Sequence, residues 1–543
     1  MKRFKLMLAI TALLALLLLV VGLGSPYAPV VAPAPENIEE IWVIEDTRQE
    51  SGGPLVTALE NDGAALAYDE EKNTFYCTLG MENGETWPQL HLTSPGASDV
   101  RLVFVDDYAY DWCQDAIRDG YAYQVMAYND THFSYFDLVF TGLPLIMLET
   151  QEEITTEDSP AHIQFSAYGS KSLDSFARIH RRGASSLDSE KGSFKIEFTR
   201  EADGRRKTTT DVPLFGRMDA LLLNGMLHDR LLMREKLSWD LYESLSDAGA
   251  PFGARRAEYA EVFINGRYHG IYLLENPMDC ADELAKDGRR ALTDSVYRTA
   301  VLSFSRDRQY VHHPYRANTG YELYYHPDAA SSDPFVGLRP WIDLNRTEDD
   351  EEFVRKALEM IDLESMLRMD LFVQAGGMTD NIFNNMYIVS HPTGHGIRYS
   401  FAPWDMDMTW ARKPEEVGQS YENWIYFPVA DRLIDLNAGG DLRQRTADLW
   451  KKMREGAFNR ETIEQLINEY TFELGDSGAW VRNAERWGFE NYYPDSYEML
   501  VFTDIRLDLM DRAIETIISA GNESIPFLAA TQYEGKGTPI VLE

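Results

Sequence analysis

The chain has 543 residues, enough for two or three domains around a large core. Its 88 acidic and 51 basic side chains give a formal net charge of −37. Nucleic-acid phosphates and anionic lipid head groups both require a basic surface, so this composition argues against nucleic-acid binding and against adsorption to anionic membranes.

The N-terminus has the pattern of an export signal. A basic start, Lys2-Arg-Phe-Lys5, precedes an apolar run over residues 6–23 and a Pro/Ala-rich linker over residues 25–36. The run has a length between that of a cleaved signal peptide and that of a membrane anchor. Gly22-Leu-Gly24 is a poor cleavage site, which favours an uncleaved anchor over residues 1–24. We therefore expect an extracytoplasmic protein, either anchored through residues 6–23 or secreted.

Residues 37–143 predict a β-rich accessory module. Short alternating apolar segments are separated by turn signals, a spacing typical of an antiparallel, sandwich-like sheet. The predicted strands include Ile41-Trp-Val-Ile44, Phe75-Tyr-Cys-Thr-Leu79, Arg101-Leu-Val-Phe-Val105 and Phe136-Asp-Leu-Val-Phe140. We expect a glycan or a protein as the ligand of this module.

The chain has three cysteines, too few for a disulfide scaffold. Cys77 could pair with Cys113, which would leave Cys280 unpaired. Alternatively, all three cysteines could be buried thiols, and both interpretations remain open.

A second β-rich stretch begins near residue 144. It includes Leu145-Ile-Met-Leu148, His162-Ile-Gln-Phe165 and Ser193-Phe-Lys-Ile-Glu-Phe198, and residues 229–246 follow as a predicted helix. Next comes a hairpin in which Asn265-Gly266 joins Tyr259-Ala-Glu-Val-Phe-Ile264 to Tyr268-His-Gly-Ile-Tyr-Leu-Leu274. Asn-Gly favours the type I′ turn of a two-residue hairpin loop.

The C-terminal half predicts mainly helices. Residues 281–350 show no clear pattern, residues from about 352 onward are helical, and helices return over 429–521. A β-rich part followed by a helical part predicts an α+β fold, with one domain over 144–525 and a tail over 526–543.

Between these helices lies the most informative stretch. Asp380-Asn-Ile-Phe-Asn-Asn385 is followed about twenty residues later by Trp404-Asp-Met-Asp407. Met386-Tyr-Ile-Val389 and Ile397-Arg-Tyr-Ser-Phe401 are predicted strands of a hairpin that returns the acidic pair towards Asn385. This is the order of the phosphoryl-transfer groups in protein kinases, where an Asp orients the attacking hydroxyl, an Asn binds metal and a later Asp binds the Mg²⁺ that bridges the phosphates.

Five blocks along the chain carry a resemblance. They are Arg182-Gly-Ala-Ser-Ser186 with Lys191-Gly-Ser-Phe-Lys-Ile-Glu-Phe198; Leu222-Leu-Asn224 with Leu232-Met-Arg234; Gly270-Ile-Tyr-Leu-Leu-Glu275; Asp380 with Asn385-Met-Tyr387; and Pro403-Trp-Asp-Met-Asp407. In this order they resemble the spore-coat-protein-H (CotH) kinase family of atypical protein kinases, over roughly residues 143–487. The family pattern has Asn where this chain has Ala184 and Gly where it has Ala411.

The resemblance implies a two-lobed, protein-kinase-like domain with a β-rich N-lobe and a helical C-lobe. It implies ATP and Mg²⁺ or Mn²⁺ as cofactors, and Ser or Thr of a protein substrate as the phosphoryl acceptor. Asp380 is then the catalytic Asp, and the metal ligands are Asn385 with Asp405, Asp407 or both. Lys191 and Lys195 are the candidate phosphate-contacting lysines, with Glu235 as a conceivable partner on the helix. The expected nucleotide-binding residues are Arg182, Gly183, Ser185, Lys191, Lys195 and Glu275.

Other interpretations of the same residues remain open. Asp380 and Asn385 are also common helix-capping and turn residues. Asp405-Met-Asp407-Met-Thr409 fits the Asp-x-Asp-x-Thr nucleophile motif of haloacid-dehalogenase-type phosphatases, and Asp-x-Asp also occurs in metal-dependent glycosyltransferases. Both of those folds require alternating βαβ units, which residues 429–521 do not predict. A catalytically inactive, kinase-like surface or coat scaffold is the non-enzymatic alternative. We find no sequence pattern for a Ser-His-Asp nucleophile.

Overall fold

The computed structural model describes residues 38–81, 87, 90–105, 110–183, 187, 189–245, 255–277, 293–300, 320–327, 333–411, 423–488, 496–528 and 538–539. The predicted signal or anchor, its linker and Cys280 lie outside these residues. Over the described part of the chain, no helix is long and apolar enough to cross a membrane.

The N-terminal part is built on a mixed sheet. Its elements are α1 (Ile38–Thr47), β1 (Gln49–Glu50), β2 (Glu60–Asn61), β3 (Ala64–Ala65), β4 (Ala67–Asp69), β5 (Thr74–Thr78), β6 (Leu92–Thr93), β7 (Arg101–Phe104), α2 (Cys113–Arg118), β8 (Ala122–Tyr128) and β9 (His132–Thr141). Six strands form one sheet in the order β4-β5-β9-β8-β7, with β1 also beside β9, and β3-β2-β6 form a small second sheet. The predicted strands near residues 75, 101 and 136 are confirmed.

Two predictions for this region are wrong. The segment Ile41–Ile44 is helical, because Ile41 and Ile44, one helical turn apart, pack together against the sheet while Trp42 and Val43 face solvent. The sheet is also not purely antiparallel, since β1 and β5 both pair with β9 in parallel.

The disulfide between Cys77 and Cys113 is not formed, and the alternative of buried thiols is confirmed for these two residues. Cys77 and Cys113 are both free and buried. Burial raises the pKa of the Cys77 thiol to about 12, so this thiol is not reactive at neutral pH.

A closed barrel follows. Its elements are β10 (Leu145–Glu149), β11 (Ser159–Ser166), β12 (Leu173–Arg182), β13 (Ser193–Thr199), β14 (Thr210–Val212), β15 (Gly216–Met218), β16 (Ala220–Asn224), α3 (Arg234–Glu243), β17 (Ala257–Ile264) and β18 (Arg267–Glu275). The barrel order is β10-β11-β12-β13-β16-β18-β17, and the parallel pair β10–β17 closes it. Phe194, Ile196 and Phe198 of β13 alternate into its core, so Lys195 and Glu197 lie on the outer face.

The turn chemistry explains the boundaries here. Asn265 and Gly266 have φ of +49° and +68°, as a type I′ turn requires, and the predicted hairpin is confirmed. The predicted helix starts at Arg234 rather than residue 229. The carboxylate of Asp229 accepts the backbone N–H groups of Leu231 and Arg234 and so holds the preceding turn out of the helix.

The C-terminal part combines a small sheet with helices. Its elements are β19 (Ser295–Ala300), β20 (Tyr321–Tyr325), α4 (Arg339–Asn345), α5 (Asp350–Met360), α6 (Leu363–Gly376), β21 (Asn384–Thr393), β22 (Gly396–Pro403), β23 (Asn423–Trp424), α7 (Pro428–Asp435), α8 (Leu442–Glu455), α9 (Arg460–Asp476), α10 (Ala479–Trp487), α11 (Tyr497–Ser519) and β24 (Thr538–Pro539). The sheet order is β20-β19-β21-β22. The hairpin around residue 394 and the helices over 429–521 are confirmed, and β19, β20 and α4 lie in the stretch that showed no sequence pattern.

One hydrophobic core joins these parts. It runs from Leu143 to Leu528 and includes Tyr259, Ile271 and Leu273 on the outer face of β17 and β18. The helices and the small sheet therefore pack directly on one side of the barrel. The predicted α+β class is confirmed, and the segments that carry the acidic motif lie within this shared core.

Candidate active site

The turn after α6 brings Asp380 and Asn385 into contact. Helix α6 ends at Gly377, whose φ of +63° redirects the chain. The half-buried Asp380 then accepts hydrogen bonds at Oδ2 from the side-chain amides of Asn384, at 3.2 Å, and Asn385, at 2.9 Å. Because the nitrogen of the Asn385 amide is used in this way, its Oδ1 is the atom that can bind a metal.

The β21–β22 hairpin returns the chain to the same place. The Asn385 amide also donates to the backbone oxygen of Asp405 at 3.3 Å. The fully buried Asn381 donates to the backbone oxygens of Asn385, at 3.2 Å, and Trp404, at 2.8 Å. Asn381 thus joins the two halves of the motif, while its own Oδ1 is buried without a partner among the described residues.

The backbone is strained around this contact. Four non-glycine residues have φ in the left-handed region, namely Asn385 (+50°), Asp405 (+54°), Trp410 (+47°) and Ala411 (+67°). Each costs on the order of 1 kcal/mol and is kept only where the surroundings enforce it. Ala411, where the resembling family has Gly, is one of them, so the departure leaves the required turn in place at a cost in strain.

Glu235 is hydrogen-bonded to the backbone of the acidic loop. It lies in the first turn of α3 with 1% of its surface exposed. Its carboxylate accepts a hydrogen bond from Trp239 Nε1 at 2.9 Å and another from the backbone N–H of Met406, between Asp405 and Asp407. Burial, with the charges of Glu275, Asp405 and Asp407, raises the pKa of Glu235 well above its ordinary value. Its hydrogen-bond partners are therefore Trp239 and the backbone of the acidic loop.

Glu275 lies at the end of β18 and is also buried. It accepts a hydrogen bond from the Asn224 amide at 3.2 Å and pairs with Arg255 at 3.5 Å. Arg255 in turn lies over the ring of Trp239, 4.9 Å from its centroid. Glu275 is thus close enough to Glu235 for its charge to raise the pKa of that buried carboxyl group.

Four basic side chains act on the charge of Asp405. Burial raises the pKa of this carboxyl group, and four cations act in the opposite direction, namely Arg182, His228, Arg298 and Arg255. Arg182 is therefore close enough to interact with the acidic motif, as a phosphate-binding residue must be. Gly183, next in the chain, has φ of +110°, which favours glycine. Ser185, the third residue predicted in this turn, lies outside the described residues.

Lys195 lies on the barrel face that carries Glu275. The register pairs Lys195 with Leu222 and Leu222 with Glu275, so Lys195 and Glu275 are two strands apart on one face, roughly 10 Å. The half-buried Lys195 amine binds Glu197 at 3.0 Å. Since Glu197 also pairs with Arg178 and Lys207, Lys195 can exchange this partner for a phosphate oxygen.

Lys191 has different surroundings. Its amine donates to Oδ1 of Asn483 in α10 at 3.2 Å and lies 5.6 Å from the centroid of the Tyr272 ring. Burial alone lowers the pKa of Lys191 to about 7, and no carboxylate of the acidic motif acts on it. Arg182 therefore acts on the acidic motif and Lys195 lies on the barrel face of Glu275, whereas Lys191 contacts Asn483 of α10.

The donor set fits a hard divalent cation. Among the described residues, no three His, Cys, Asp or Glu side chains are arranged to hold a metal. The candidate ligands are instead the carboxylates of Asp405 and Asp407 with the amide oxygen of Asn385, all oxygen donors of the kind Mg²⁺ and Mn²⁺ bind. The buried Oδ1 of Asn381, which has no partner among the described residues, is an oxygen atom of the same kind close to these ligands.

Sequence reasoning missed several residues of this region. Asn381 and Arg298 carry no spacing signal, and β19, which holds Arg298, comes from the stretch without pattern.

Sequence reasoning also missed a hydrogen-bonded line of three side chains. His391 is hydrogen-bonded to Asp294 through Nδ1 and to Ser400 through Nε2, each at 2.6 Å. Ser400 is 2% exposed within β22, so this Ser-His-Asp line is closed to a substrate.

The rival phosphatase interpretation fails on topology. After the acidic loop the described chain continues as the helices α7 to α11, without the βαβ units of that fold. The hydroxyl of Thr409 is also used internally, since it donates to the backbone oxygen of Met406 at 2.8 Å.

Comparison with protein-family models identifies a family for most of the chain. The family model described as "CotH kinase protein" matches residues 179–506, which include all the described residues of this site. No curated protein matches the chain.

Proposed function

The chain belongs to the CotH kinase protein family, and on this premise we propose that it is an exported atypical protein kinase. It transfers the γ-phosphoryl group of ATP to a Ser or Thr hydroxyl of an extracytoplasmic or coat-type protein. The observation that carries the proposal is the contact among Asp380, Asn385 and the backbone of Asp405, which joins the two halves of a kinase-like acidic motif.

Asp380 orients the acceptor hydroxyl. Its carboxylate is fixed by two amide donors, so its position does not depend on substrate. As the new bond to phosphorus forms, the bond from the γ-phosphorus to the bridging oxygen of ADP breaks, and the hydroxyl proton passes to Asp380 or to solvent. Positioning and electrostatics supply most of the rate in such transfers.

Arg182 and Lys195 neutralise the phosphates in this proposal. Arg182 acts on Asp405 from the end of β12, and Lys195 lies on the outer face of β13. The role of Lys195 is supported by the strand register, which places Lys195 and Glu275 on the same face of the barrel. The surroundings of Lys191 favour Lys195 over Lys191 for this role.

Asn385, Asp405 and Asp407 hold the metal. Bound Mg²⁺ or Mn²⁺ would neutralise charge on the phosphates as the bond to ADP breaks. Glu235 positions these ligands, because its carboxylate binds the backbone between Asp405 and Asp407. The two-lobed, kinase-like arrangement is part of the proposal, with the barrel as the β-rich lobe and α5 to α11 as the helical lobe.

The test is an intact-mass measurement on the full chain incubated with ATP and Mg²⁺ or Mn²⁺. We expect a metal-dependent gain of one or more phosphate masses, with casein as an added acceptor if self-modification is absent. Asp380→Asn should abolish the gain while nucleotide binding is retained. Asp508→Ala, on the exposed face of α11, is the matched control and should change nothing.

Nucleotide titration separates the alternatives. Nucleotide binding without any transfer would support a catalytically inactive relative, for which the strained Ala411 at the family's Gly position provides a structural reason. Absence of nucleotide binding would overturn the kinase and favour the scaffold. Export, with anchoring through residues 6–23, is part of the proposal on the strength of the N-terminal pattern, as is a glycan or protein ligand of the β-rich module over residues 37–143.

A further inference from the structure

In the part of the chain that the structure describes, three basic side chains without a carboxylate partner act on His269 of β18. Arg486, Lys191 and Arg181 all act on His269 of β18, and burial together with their charges lowers the pKa of His269 to about 4. Among the described residues, no carboxylate pairs with Arg181, Lys191 or Arg486. In a chain with a net charge of −37, positive side chains left uncompensated in this way are unexpected.

The hydrogen bonds of these cations go to neutral groups. Arg181 and Arg486 donate to backbone oxygens, those of Leu187, Ser189 and Tyr268. Lys191 donates to the side-chain oxygen of Asn483. None of these acceptors carries a full negative charge, so the bonds fix the geometry of the cations without an opposite charge from the described residues.

Asn483 supplies an independent sign of a missing acceptor. Its Oδ1 accepts from Lys191 and from the backbone N–H of Ile271 at 3.0 Å. Its Nδ2, on the same fully buried amide, has no partner among the described residues. A buried N–H donor without an acceptor costs on the order of 1–3 kcal/mol, which an acceptor from a ligand would recover.

The hydrogen bonds also fix the tautomer of His269. The single hydroxyl proton of Tyr272 is donated to the backbone oxygen of Gly192 at 3.0 Å. The 2.8 Å bond between Tyr272 and Nδ1 of His269 is therefore donated by the imidazole. In the neutral ring Nε2 carries no proton, and a nearby anion would favour its protonation.

We propose that this cationic niche, formed by Arg181, Lys191, His269, Asn483, Arg486 and Trp487, binds an oxyanion, a phosphate or carboxylate group. Arg486 is exposed, whereas Lys191 and Asn483 are buried. Trp487 forms an apolar wall, with Arg486 4.4 Å from its centroid and His269 edge-on at 5.4 Å. The contacts of the niche are with β18 and α10, through Asn483 and the backbone of His269, whereas Asp380 and Glu235 contact the acidic motif itself.

Calorimetric titration of the full chain with inorganic phosphate, in the presence of EDTA and without nucleotide, tests this proposal. Two buffers of different ionisation enthalpy report proton exchange. We expect binding with net proton uptake, since the anion favours protonated His269 and Lys191. Arg486→Ala and Lys191→Met should each weaken binding by about tenfold or more, because charge-assisted hydrogen bonds are lost. Acetate in parallel distinguishes a carboxylate site from a phosphate site.

The controls separate a site from general charge attraction. Arg512→Ala removes an exposed arginine of α11 and should leave the affinity unchanged. Arg486 is exposed, so its removal keeps the fold, and an unchanged melting temperature without phosphate would verify this. The proposal is overturned if neither anion binds the wild type at millimolar concentration, or if phosphate binds Arg486→Ala and Lys191→Met as it binds the wild type.

Discussion

At the scale of single residues, the conformation of the acidic motif favours metal binding at a cost in folding stability. Asp405 combines a left-handed φ of +54° with a half-buried carboxyl group whose pKa is raised by desolvation. Sites of this kind lose stability for function, so removal of the charge should stabilise the apo fold. We predict that Asp405→Asn raises the melting temperature without metal and weakens Mn²⁺ binding by at least about tenfold, since a charged ligand is lost. Thermal unfolding and Mn²⁺ titration by electron paramagnetic resonance measure both effects.

Asn tolerates the left-handed conformation, so this substitution keeps the backbone strain constant and isolates the charge. Asp62→Asn is the matched control, because Asp62 is an exposed aspartate with a similar φ of +52°. An Asp405→Asn protein with unchanged Mn²⁺ affinity would contradict the metal assignment of this residue, and Asp407→Asn would then be the decisive variant.

At the scale of elements, the end of α6 sets the position of Asp380. Gly377 has φ of +63°, and a Cβ there would lie 2.8 Å from the ring of Phe502 in α11. We predict that Gly377→Ala destabilises the protein by about 2 kcal/mol or more, because strain and a clash with a buried ring add. Gly394→Ala, in an exposed turn with nothing within 4 Å of its Cβ, should cost far less. Equal urea midpoints for the two variants would disprove this account.

A buried acid pair on α6 and α7 should make stability depend on pH. Burial raises the pKa of Asp370 to about 7, and burial with the charge of Asp370 raises that of Asp431 well above its ordinary value. The folded state therefore holds protons that the unfolded state has lost above about pH 4. Its stability is fully present below that pH and is lost as the pH rises through 7, by up to about 1.4 kcal/mol per pH unit for each proton. In Asp370→Asn the free energy of unfolding should fall less between pH 6 and pH 8. Parallel curves for variant and wild type would contradict the assignment.

The same elements show what the sequence could predict. The Asn265-Gly266 hairpin, the strands of β13 and the β21–β22 hairpin follow from turn residues and alternation, which are local signals. The strand predicted over α1 is wrong because four apolar residues in a row fit the period of a helix as well as that of a strand. The return of Asp405 towards Asn385 follows from the predicted hairpin. The burial of Glu235 does not follow from a local signal, since it depends on packing of α3 against a loop about 170 residues away.

At the scale of the whole molecule, a buried ion pair joins three parts of the chain. Arg482 of α10 binds Glu261 of the barrel strand β17 at 2.8 and 2.9 Å, and Thr141 of β9 donates to the same carboxylate. The N-terminal sheet thus shares buried polar contacts with the barrel and with the C-terminal helices. The predicted boundary at residue 143 therefore separates sheets that are not expected to unfold independently.

Because Glu261 is fully buried and Arg482 nearly so, removal of one partner leaves an uncompensated charge. We predict that Arg482→Met costs about 3–5 kcal/mol. The double variant Glu261→Leu/Arg482→Met should recover much of this loss, since no charge is then buried. Arg512→Met, which breaks an exposed pair, should cost less than about 1 kcal/mol.

The same ion pair should make the three parts of the chain unfold together. In urea, far-ultraviolet circular dichroism and tryptophan fluorescence should therefore give coincident transitions for the wild type. Two separate transitions, or a double variant no more stable than Arg482→Met, would show that the ion pair does not couple them.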